Sequence, residues 1–340
     1  MDASRTPALS VVIIGRNEGE RLVSCLESVR RMRGVDGNVE VIYVDSASTD
    51  SSPQIARSFA AQIVILQDGK RTAARGRNAG WPRALAPYVL FLDGDTILNP
   101  DFPRVALASL TSDQSIAAVW GHRRELYPER SLYNRVADLD WIYAAGITDY
   151  CGGDVLMRRS ALAEVDGYDS GLIAGEEPEL CRRLRARGYR ILHIDQPMTL
   201  HDLDLRSFSQ YWRRAVRAGY AYAEISHRFR NSADKMWLQE SKKNVRMGVF
   251  WIVWIVLGIC LAGFISWLFL PWLAFVVLVA ARSGWKARHK APGKGLLLLL
   301  YGLHSHMQQI PILFGQLRYF ADRYLGKQRK QIEYKEGASV

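Results

Sequence analysis

Residues 88–100, YVLFLDGDTILNP, join a strand-like apolar run to two acidic residues, Asp93 and Asp95, with only Gly94 between them. The spacing suits a hard divalent cation, which prefers oxygen ligands and often shares them with substrate phosphates. Asp-Gly is also common in hairpin turns, so the motif by itself leaves a plain turn open. The segments around it must decide between these two interpretations.

The residues before this stretch alternate strand-like and helix-like segments. This order predicts an α/β fold with a mostly parallel sheet, whose ligands bind at the carboxyl ends of the strands. The first strand is not followed by a GxGxxG motif, and the sequence has no P-loop, so a dinucleotide site is not supported. The predicted strands are 9–14, 39–44, 63–66 and 88–92, and the predicted helices are 20–32, 54–61 and about 71–85.

Polar residues follow three of these strands at the same predicted edge of the sheet. The first strand leads into GRNEGE (15–20), and the second ends at Asp45, a position suited to accepting hydrogen bonds from a base or ribose. The fourth leads into Asp93 and Asp95. This convergence of acidic residues favours the metal interpretation over the turn.

Six motifs, in order over about residues 8–215, resemble the family 2 inverting glycosyltransferases. The resemblance implies the GT-A fold, which is a Rossmann-like nucleotide-sugar-binding α/β domain, and Mg²⁺ or Mn²⁺ to hold the donor diphosphate. The motifs are VVIIGRNEGERLVSCLESV (11–29), VIYVDSASTDSS (41–52), AARGRNAG (73–80), YVLFLDGDTILNPDF (88–102), GGDVLMRRSALAEVDGYD (152–169) and GEEPELCRRLRARGYRI (175–191).

The resemblance also implies roles for individual donor-site residues. Asp45 would bind the uracil or ribose, Asp93 would contact the ribose or a metal-bound water, and Asp95 would ligate the metal. The remaining nucleotide-pocket residues would be Arg16, Glu18 and Arg75, the last holding base or phosphate.

The acceptor side of the reaction is assigned in the same way. An inverting transfer needs a carboxylate to take the proton of the attacking hydroxyl. The family places this base as the acid of a Glu-Asp pair, and here the pair is Glu176-Glu177. Glu177 is therefore the predicted base and Glu176 the next choice, although ordinary helix-start chemistry also explains acids at this position.

Three further assignments complete the predicted site, two from the resemblance and one from a basic amphipathic segment. Gly152, Gly153 and Asp154 would form a loop facing the sugar and acceptor, and a simple turn is the alternative. His201 would complete the metal or diphosphate site. In the basic amphipathic segment 207–230, Arg213 or Arg214 would reach the donor diphosphate or a lipid phosphate, in a helix that lies on an anionic membrane surface.

The C-terminal part of the chain has a different composition. Residues 1–204 carry 24 Lys and Arg against 28 Asp and Glu, a net charge of −4, whereas residues 205–340 carry 21 against 6, a net charge of +15. Residues 247–281 contain no charged residue. A basic module with such a stretch indicates a membrane partner and no nucleic acid.

The uncharged stretch is too long for one straight span, because a spanning helix needs about 20 residues. A hairpin of two short spans with a bend near 263–266 is preferred, and one long kinked helix is the alternative. Lys and Arg flank both ends, which predicts that both ends are cytoplasmic. With no run resembling a signal peptide in residues 1–30, we expect a multi-pass inner (plasma) membrane protein with a cytoplasmic catalytic domain.

The predicted organisation has five parts. In the fourth part, an interfacial helix broken at Pro311 is preferred and a third membrane helix is the alternative. The parts are a GT-A catalytic domain (1–204), amphipathic interfacial helices (205–246), a transmembrane hairpin (247–281), a basic loop with the interfacial or third membrane helix (282–324), and a polar tail (325–340).

The predicted function is metal-dependent transfer of a sugar from a nucleotide sugar, with UDP as first choice, to a polyprenyl-diphosphate-linked saccharide in cell-surface polysaccharide assembly. A polyprenyl monophosphate or a glycerolipid is the alternative acceptor. A nucleotidyltransferase would need a Gly-rich basic signature after the first strand, and a non-enzymatic membrane scaffold would not need all the acids. The resemblance leaves homo-oligomerisation through the membrane helices open.

Overall fold

The computed structural model describes residues 6–67, 71–264 and 266–326. Within these residues the chain divides into two compact units. The first unit contains residues up to 126 and residues 141–203, and the second contains residues 127–140 and those from 204 onward.

The first unit is built on a nine-stranded sheet in the order β3-β2-β1-β4-β8-β6-β9-β5, with β7 paired to β9. Its four central strands are apolar because both faces of the sheet are covered. The strands are β1 (Leu9–Gly15), β2 (Val39–Asp45), β3 (Gln62–Ile65), β4 (Tyr88–Asp93), β5 (Thr96–Leu98), β6 (Ile116–Glu125), β7 (Gly146–Thr148), β8 (Val155–Arg158) and β9 (Arg190–His201).

The register of the parallel strands brings the predicted polar ends together. Gly15 at the end of β1 pairs with Asp45 at the end of β2, and Ile14 pairs with Asp93 on β4. The strands β3, β2, β1 and β4 are parallel, as predicted. Beyond β4 the sheet is mixed, because β8 runs antiparallel to both β4 and β6.

The helices of this unit pack against the sheet core and position loops at its carboxyl edge. The helix predicted over about 71–85 is shorter than expected: its N-cap is Thr72, whose hydroxyl accepts from the Arg75 amide, and it ends at Gly80, before a short 3-10 turn. Numbered in chain order, the first-unit helices are α1 (Glu20–Arg30), α2 (Ser52–Ser58), α3 (Ala73–Gly80), α4 (Phe102–Ser112), α6 (Arg159–Glu164) and α7 (Glu176–Ala186).

The second unit is helical over its described residues. The predicted amphipathic segment forms α8, which begins with a capping box between Ser207 and Gln210. Its buried face packs closely on α12: a Cβ on Gly219 would lie 2.0 Å from the Ile312 carbonyl oxygen. The helices are α5 (Leu132–Asp140), α8 (Phe208–Arg228), α9 (Leu238–Phe264), α10 (Phe269–Lys286), α11 (Gly295–Met307) and α12 (Gln309–Tyr324).

Two of these helices, over Leu238–Gly263 and Phe269–Lys286, are long and apolar enough to cross a membrane by length and composition. Only 17% and 11% of their most apolar windows are buried, so they are not core helices of this unit. They touch each other, since the Trp272 indole donates to the Trp254 carbonyl at 2.8 Å. The uncharged stretch is therefore divided between two helices.

The predicted helix break at Pro311 is wrong in position. The helices α11 and α12 meet at Gln308, and Pro311 lies in the first turn of α12. A proline is tolerated there because first-turn amides have no intrahelical partner to lose. Most of the predicted polar tail, from residue 327 onward, lies outside the described residues.

Candidate active site

Asp45 occupies a prepared position at the end of β2. Its carboxylate is 1% exposed and accepts from the Tyr43 hydroxyl at 3.2 Å and from the Ser48 amide at 2.8 Å. Burial, followed by the charge of Asp45, raises the pKa of Tyr43, so that the phenol remains a hydrogen-bond donor. The protein thus holds this carboxylate in one orientation at the carboxyl edge of the sheet.

Asp93, Asp95 and His201 form a compact group of potential metal ligands. One ligand atom from each lies within 4.8 Å of the others. The group forms because β5 pairs antiparallel with β9, which places Thr96 opposite His201 and so brings His201 beside Asp95. His201 Nε2 lies 3.6 Å from Asp95 Oδ2, and both side chains are more than nine-tenths buried.

Gly94, between the two acids, is required by close packing. Its amide donates to the Ile14 carbonyl on β1 at 2.8 Å. A Cβ at this position would lie 3.0 Å from Glu18 Cγ and 3.3 Å from the Ile14 oxygen. The turn is therefore fastened to the first strand, which fixes the separation of Asp93 and Asp95.

Arg77 connects this group to the predicted base, and the sequence did not identify it. Its guanidinium is buried and lies 3.0 Å from Asp93 Oδ1, 2.9 Å from Glu177 Oε1 and 3.4 Å from Glu176 Oε1. Burial alone would lower the pKa of Arg77, but the charges of Glu177 and Asp93 raise it well above its ordinary value. One cation thus positions three carboxylates.

The loop that contains Gly152 and Gly153 lies against two arginines, Arg77 and Arg123. A Cβ on Gly153 would be 2.4 Å from Arg77 Nη2, 3.2 Å from Glu177 Oε1 and 3.3 Å from Asp93 Oδ2. A Cβ on Gly152 would be 2.6 Å from Arg123 Nη2. Only glycine allows this backbone to approach the charged cluster so closely.

Asp154 holds the backbone of Asp93 through a hydrogen bond. It is 3% exposed, with one oxygen accepting from the Asp93 amide at 3.1 Å and the other from the Thr199 hydroxyl at 2.8 Å. Burial, followed by the charge of Asp93, raises the pKa of Asp154 to about 6. Both carboxylate oxygens of Asp154 therefore accept hydrogen bonds from protein groups.

The other predicted nucleotide-site residues lie around this edge or in the second unit. The Arg16 amide donates to Glu18 Oε1 at 3.4 Å, and Glu18 Oε2 lies 3.1 Å from Arg21. Arg75 is half-buried in the first turn of α3. Arg213 and Arg214 are half-buried on α8 of the second unit.

This arrangement fits a divalent cation by the chemistry of its donors. Two carboxylates and one imidazole suit Mg²⁺ or Mn²⁺, with the nitrogen ligand more typical of Mn²⁺ than of Mg²⁺. Glu177 is half-buried at the start of α7 and offers a carboxylate for proton transfer. The edge of the sheet therefore combines three potential metal ligands with a carboxylate, Glu177, held by a buried arginine.

Open α/β sheets bind their ligands at the carboxyl ends of the strands, and this edge holds a buried acid beside a carboxylate-imidazole group. The model of the family "Glycosyl transferase family 2" matches residues 10–166. Residues 10–166 thus carry a family 2 glycosyltransferase domain, and the chain is similar to known glycosyltransferases.

Two relatives and one solved structure extend this comparison. Glycosyltransferase AglE of Haloferax volcanii is 21% identical over 231 residues, which is 65% of this chain and 75% of AglE. Poly-beta-1,6-N-acetyl-D-glucosamine synthase of Staphylococcus aureus is 24% identical over 217 residues, 59% of this chain but only 51% of the synthase. Mannosyltransferase PcManGT from Pyrobaculum calidifontis, solved with GDP-Man and Mn²⁺, shares the fold, with a TM-score of 0.61, 18% identity, and coverage of 94% of this chain and 89% of that chain.

Proposed function

We propose that the protein is a metal-dependent inverting glycosyltransferase. It moves a sugar from a nucleotide-diphosphate donor, a UDP-sugar as first choice, to a membrane lipid-linked acceptor. The observation that carries the proposal is the connection, through Arg77, between the Asp93-Asp95-His201 group and Glu177. This one cluster contains a cation site and a base.

In this reaction Asp95 and His201 hold Mg²⁺ or Mn²⁺, and Asp93 completes the site or contacts the ribose. When bound, the ion would supply positive charge toward the donor diphosphate. Asp45 accepts hydrogen bonds from the uracil or ribose, while Arg16, Glu18 and Arg75 line the nucleotide pocket. Arg213 or Arg214 contributes positive charge toward the donor diphosphate or a lipid phosphate.

Glu177 takes the proton from the acceptor hydroxyl as that oxygen attacks the anomeric carbon. The new glycosidic bond forms as the bond to the nucleoside diphosphate breaks, and the single displacement inverts the anomeric centre. Arg77 positions Glu177 through the 2.9 Å contact. Gly152 and Gly153 let the backbone of the loop that faces the sugar and acceptor lie close against these charged groups.

The acceptor is a polyprenyl-diphosphate saccharide of cell-surface polysaccharide assembly, with a polyprenyl monophosphate or a glycerolipid as the alternative. Support comes from the two exposed apolar helices. Lys and Arg lie at the two outer ends of this helix pair and not between the helices, which favours a cytoplasmic location for the catalytic domain at the plasma membrane. The Staphylococcus aureus relative is named for synthesis of a polysaccharide.

The test uses the full chain in proteoliposomes with a membrane lipid extract, a panel of UDP- and GDP-sugars, and Mg²⁺ or Mn²⁺. We expect release of a nucleoside diphosphate with one donor, and its loss in Asp95→Ala. The matched control is Asp36→Ala, which removes an exposed acid of a surface loop and should keep full activity. Release that is unchanged in Asp95→Ala, or in chelator, would overturn the proposal.

A further inference from the structure

A cavity of about 650 Å³ lies within the second unit, between α8, α9 and α12. Helices α9 and α12 line it with residues one turn apart, namely Lys242 and Arg246 on α9 and Gln316 and Phe320 on α12. The volume is within the range of small-molecule sites. The cavity is therefore large enough for a lipid headgroup with its glycerol.

The charged groups that line this cavity are all basic. Arg230, Lys242 and Arg246 are exposed at its wall, and His227 lies beside them. Among the residues that the structure describes, none of these three exposed cations forms an ion pair with a carboxylate. Several cations without an acidic neighbour in the lining attract an anion.

Part of the remaining lining is apolar, and two buried polar residues form the floor. Leu238, Val245 and Phe320 line the cavity, and Val245 and Phe320 are 36% and 47% exposed. At the floor, the Ser241 hydroxyl donates to Gln316 Oε1 at 2.7 Å, and Gln316 Nε2 donates back to the Ser241 carbonyl at 3.2 Å. An occupant must combine negative charge with apolar groups.

The place of the cavity on α9 identifies the source of such an occupant. Leu238, Lys242 and Arg246 belong to the first turns of the helix over Leu238–Gly263, which is apolar and long enough to cross a membrane. The start of a spanning helix lies at the headgroup level, where basic side chains meet lipid phosphates. A free anion would gain nothing from the apolar wall.

We propose that this cavity binds one anionic glycerophospholipid. Arg230, Lys242 and Arg246 contact the phosphate, and Val245 and Phe320 contact the glycerol and the first methylenes of the acyl chains. This site differs from the proposed donor site because basic and apolar side chains line it, and it holds the second unit on an anionic membrane. It rests on the membrane association in the proposed function.

The test is native mass spectrometry of the delipidated full chain in neutral detergent, titrated with short-chain phosphatidylglycerol and without nucleotide sugar. We expect one saturable molecule per chain. The double variant Lys242→Gln, Arg246→Gln should bind about tenfold or more weakly, since two charge-assisted contacts are lost. Val245→Trp, which fills the cavity without changing charge, should abolish binding.

The matched control is Lys243→Gln, Lys286→Gln, which removes two exposed positive charges that do not line the cavity. It should bind within about twofold of the unmodified protein. Equally weakened lipid binding in both double variants, or normal binding in Val245→Trp, would contradict the proposal that the lipid binds in this cavity. Displacement by equimolar inorganic phosphate, or equal binding of phosphatidylcholine, would overturn the lipid assignment.

Circular dichroism melts of each variant confirm that it is folded. Sugar transfer is measured separately on the same preparations in lipid extract. Loss of the phosphatidylglycerol site with transfer intact would reject only this inference. Absence of transfer with the site intact would reject only the proposed function.

Discussion

The two units differ in which side chains they bury and which they expose. In the first unit, Arg77, Asp45 and Glu176 are at most 4% exposed, so charge is placed inside the protein. In the second unit, Ile259 and Leu278 are 69% and 68% exposed, so large apolar side chains are on the outside. Each arrangement is costly in water unless something compensates for it.

The two units offset these costs in different ways, and each way points to a different function. In the first unit Arg77 and Glu176 lie 3.4 Å from each other, and Asp45 accepts hydrogen bonds from Tyr43 and Ser48, which is typical of a prepared reaction site. In the second unit the two apolar helices are long enough to cross a membrane, and in the proposed function lipid covers their exposed side chains. Substitutions that remove either form of compensation should have large and separable effects.

Asp95→Ala should have the largest effect, a loss of transfer of at least about 10³-fold, because the cation site loses a buried oxygen ligand. The measurement is the initial rate of nucleoside diphosphate release. The melting temperature should change little, since the substitution also removes a buried negative charge. Unfolding of the variant, or retention of more than a tenth of the rate, would contradict the assignment.

Glu177→Gln should reduce the transfer rate on the order of 10²-fold or more, because the amide cannot take the acceptor proton. Binding of the donor should be retained, which separates this variant from Asp95→Ala. Glu27→Gln is the control, as Glu27 is an exposed acid on α1 that pairs with the exposed Arg31. A normal rate in Glu177→Gln would transfer the base role to Glu176.

Arg77→Gln should lower both stability and activity. Removing one partner of a buried ion pair costs about 3–5 kcal/mol, and here Asp93, Glu176 and Glu177 all lose their shared cation. The measurement is the melting temperature of the full chain in detergent. Arg57→Gln, at an exposed position of α2, should leave it unchanged, and equal melting of the two variants would show that Arg77 is not structurally important.

Ile259→Asp should impair membrane integration by about 2.5–3.5 kcal/mol if α9 spans the bilayer, because an acid near the middle of a span is costly. The measurement is the fraction of protein that resists alkaline extraction from membranes. Leu85→Asp is the counterpart in the first unit: Leu85 is 62% exposed, and its substitution should have no effect. Normal integration of Ile259→Asp would place this face of α9 outside lipid.

The smallest expected effect is a pH dependence of stability due to His193. Burial has the largest effect on the pKa of His193 and lowers it. The hydrogen bond to the Ala144 carbonyl opposes this shift, the charge of His122 adds to it, and Asp195 again opposes it. The folded state therefore binds this proton less tightly than the unfolded state. The contribution of His193 to stability is present above about pH 6.5 and is lost as the pH falls below that value.

The check is a series of melting curves from pH 7.5 to 5. His193→Phe, which retains an aromatic ring against Trp120, should have a flatter dependence on pH over this range. The comparison uses the slope, because the substitution also changes the absolute stability. An identical slope in both proteins would show that another group causes the pH dependence.

The carboxyl edge of the sheet was predictable because parallel strands align their ends, and the pairs Gly15–Asp45 and Ile14–Asp93 follow from that alone. His201 came from resemblance, and its place beside Asp95 depends on the antiparallel pairing of β5 with β9, which a short strand pattern does not specify. The division of the uncharged stretch into two helices was also predictable from its length.

Arg77 was missed because its partners are distant in sequence. Asp93 is 16 residues away, and Glu176 and Glu177 are 99 and 100 residues away. Its one local signal is helical spacing: Ala74 and Arg77 are three residues apart on the buried face of α3. Periodicity alone would assign a salt-bridged surface role to an arginine in such a polar helix.

The central claim is that Asp93, Asp95 and His201 bind a divalent cation that holds a nucleotide sugar. Isothermal titration calorimetry of the full chain in detergent, with UDP- and GDP-sugars, tests it directly. The account predicts that one donor binds in Mn²⁺ or Mg²⁺, that binding is lost in chelator, and that Asp95→Asn does not bind in either condition. Donor binding of equal strength in chelator and in Asp95→Asn would contradict it.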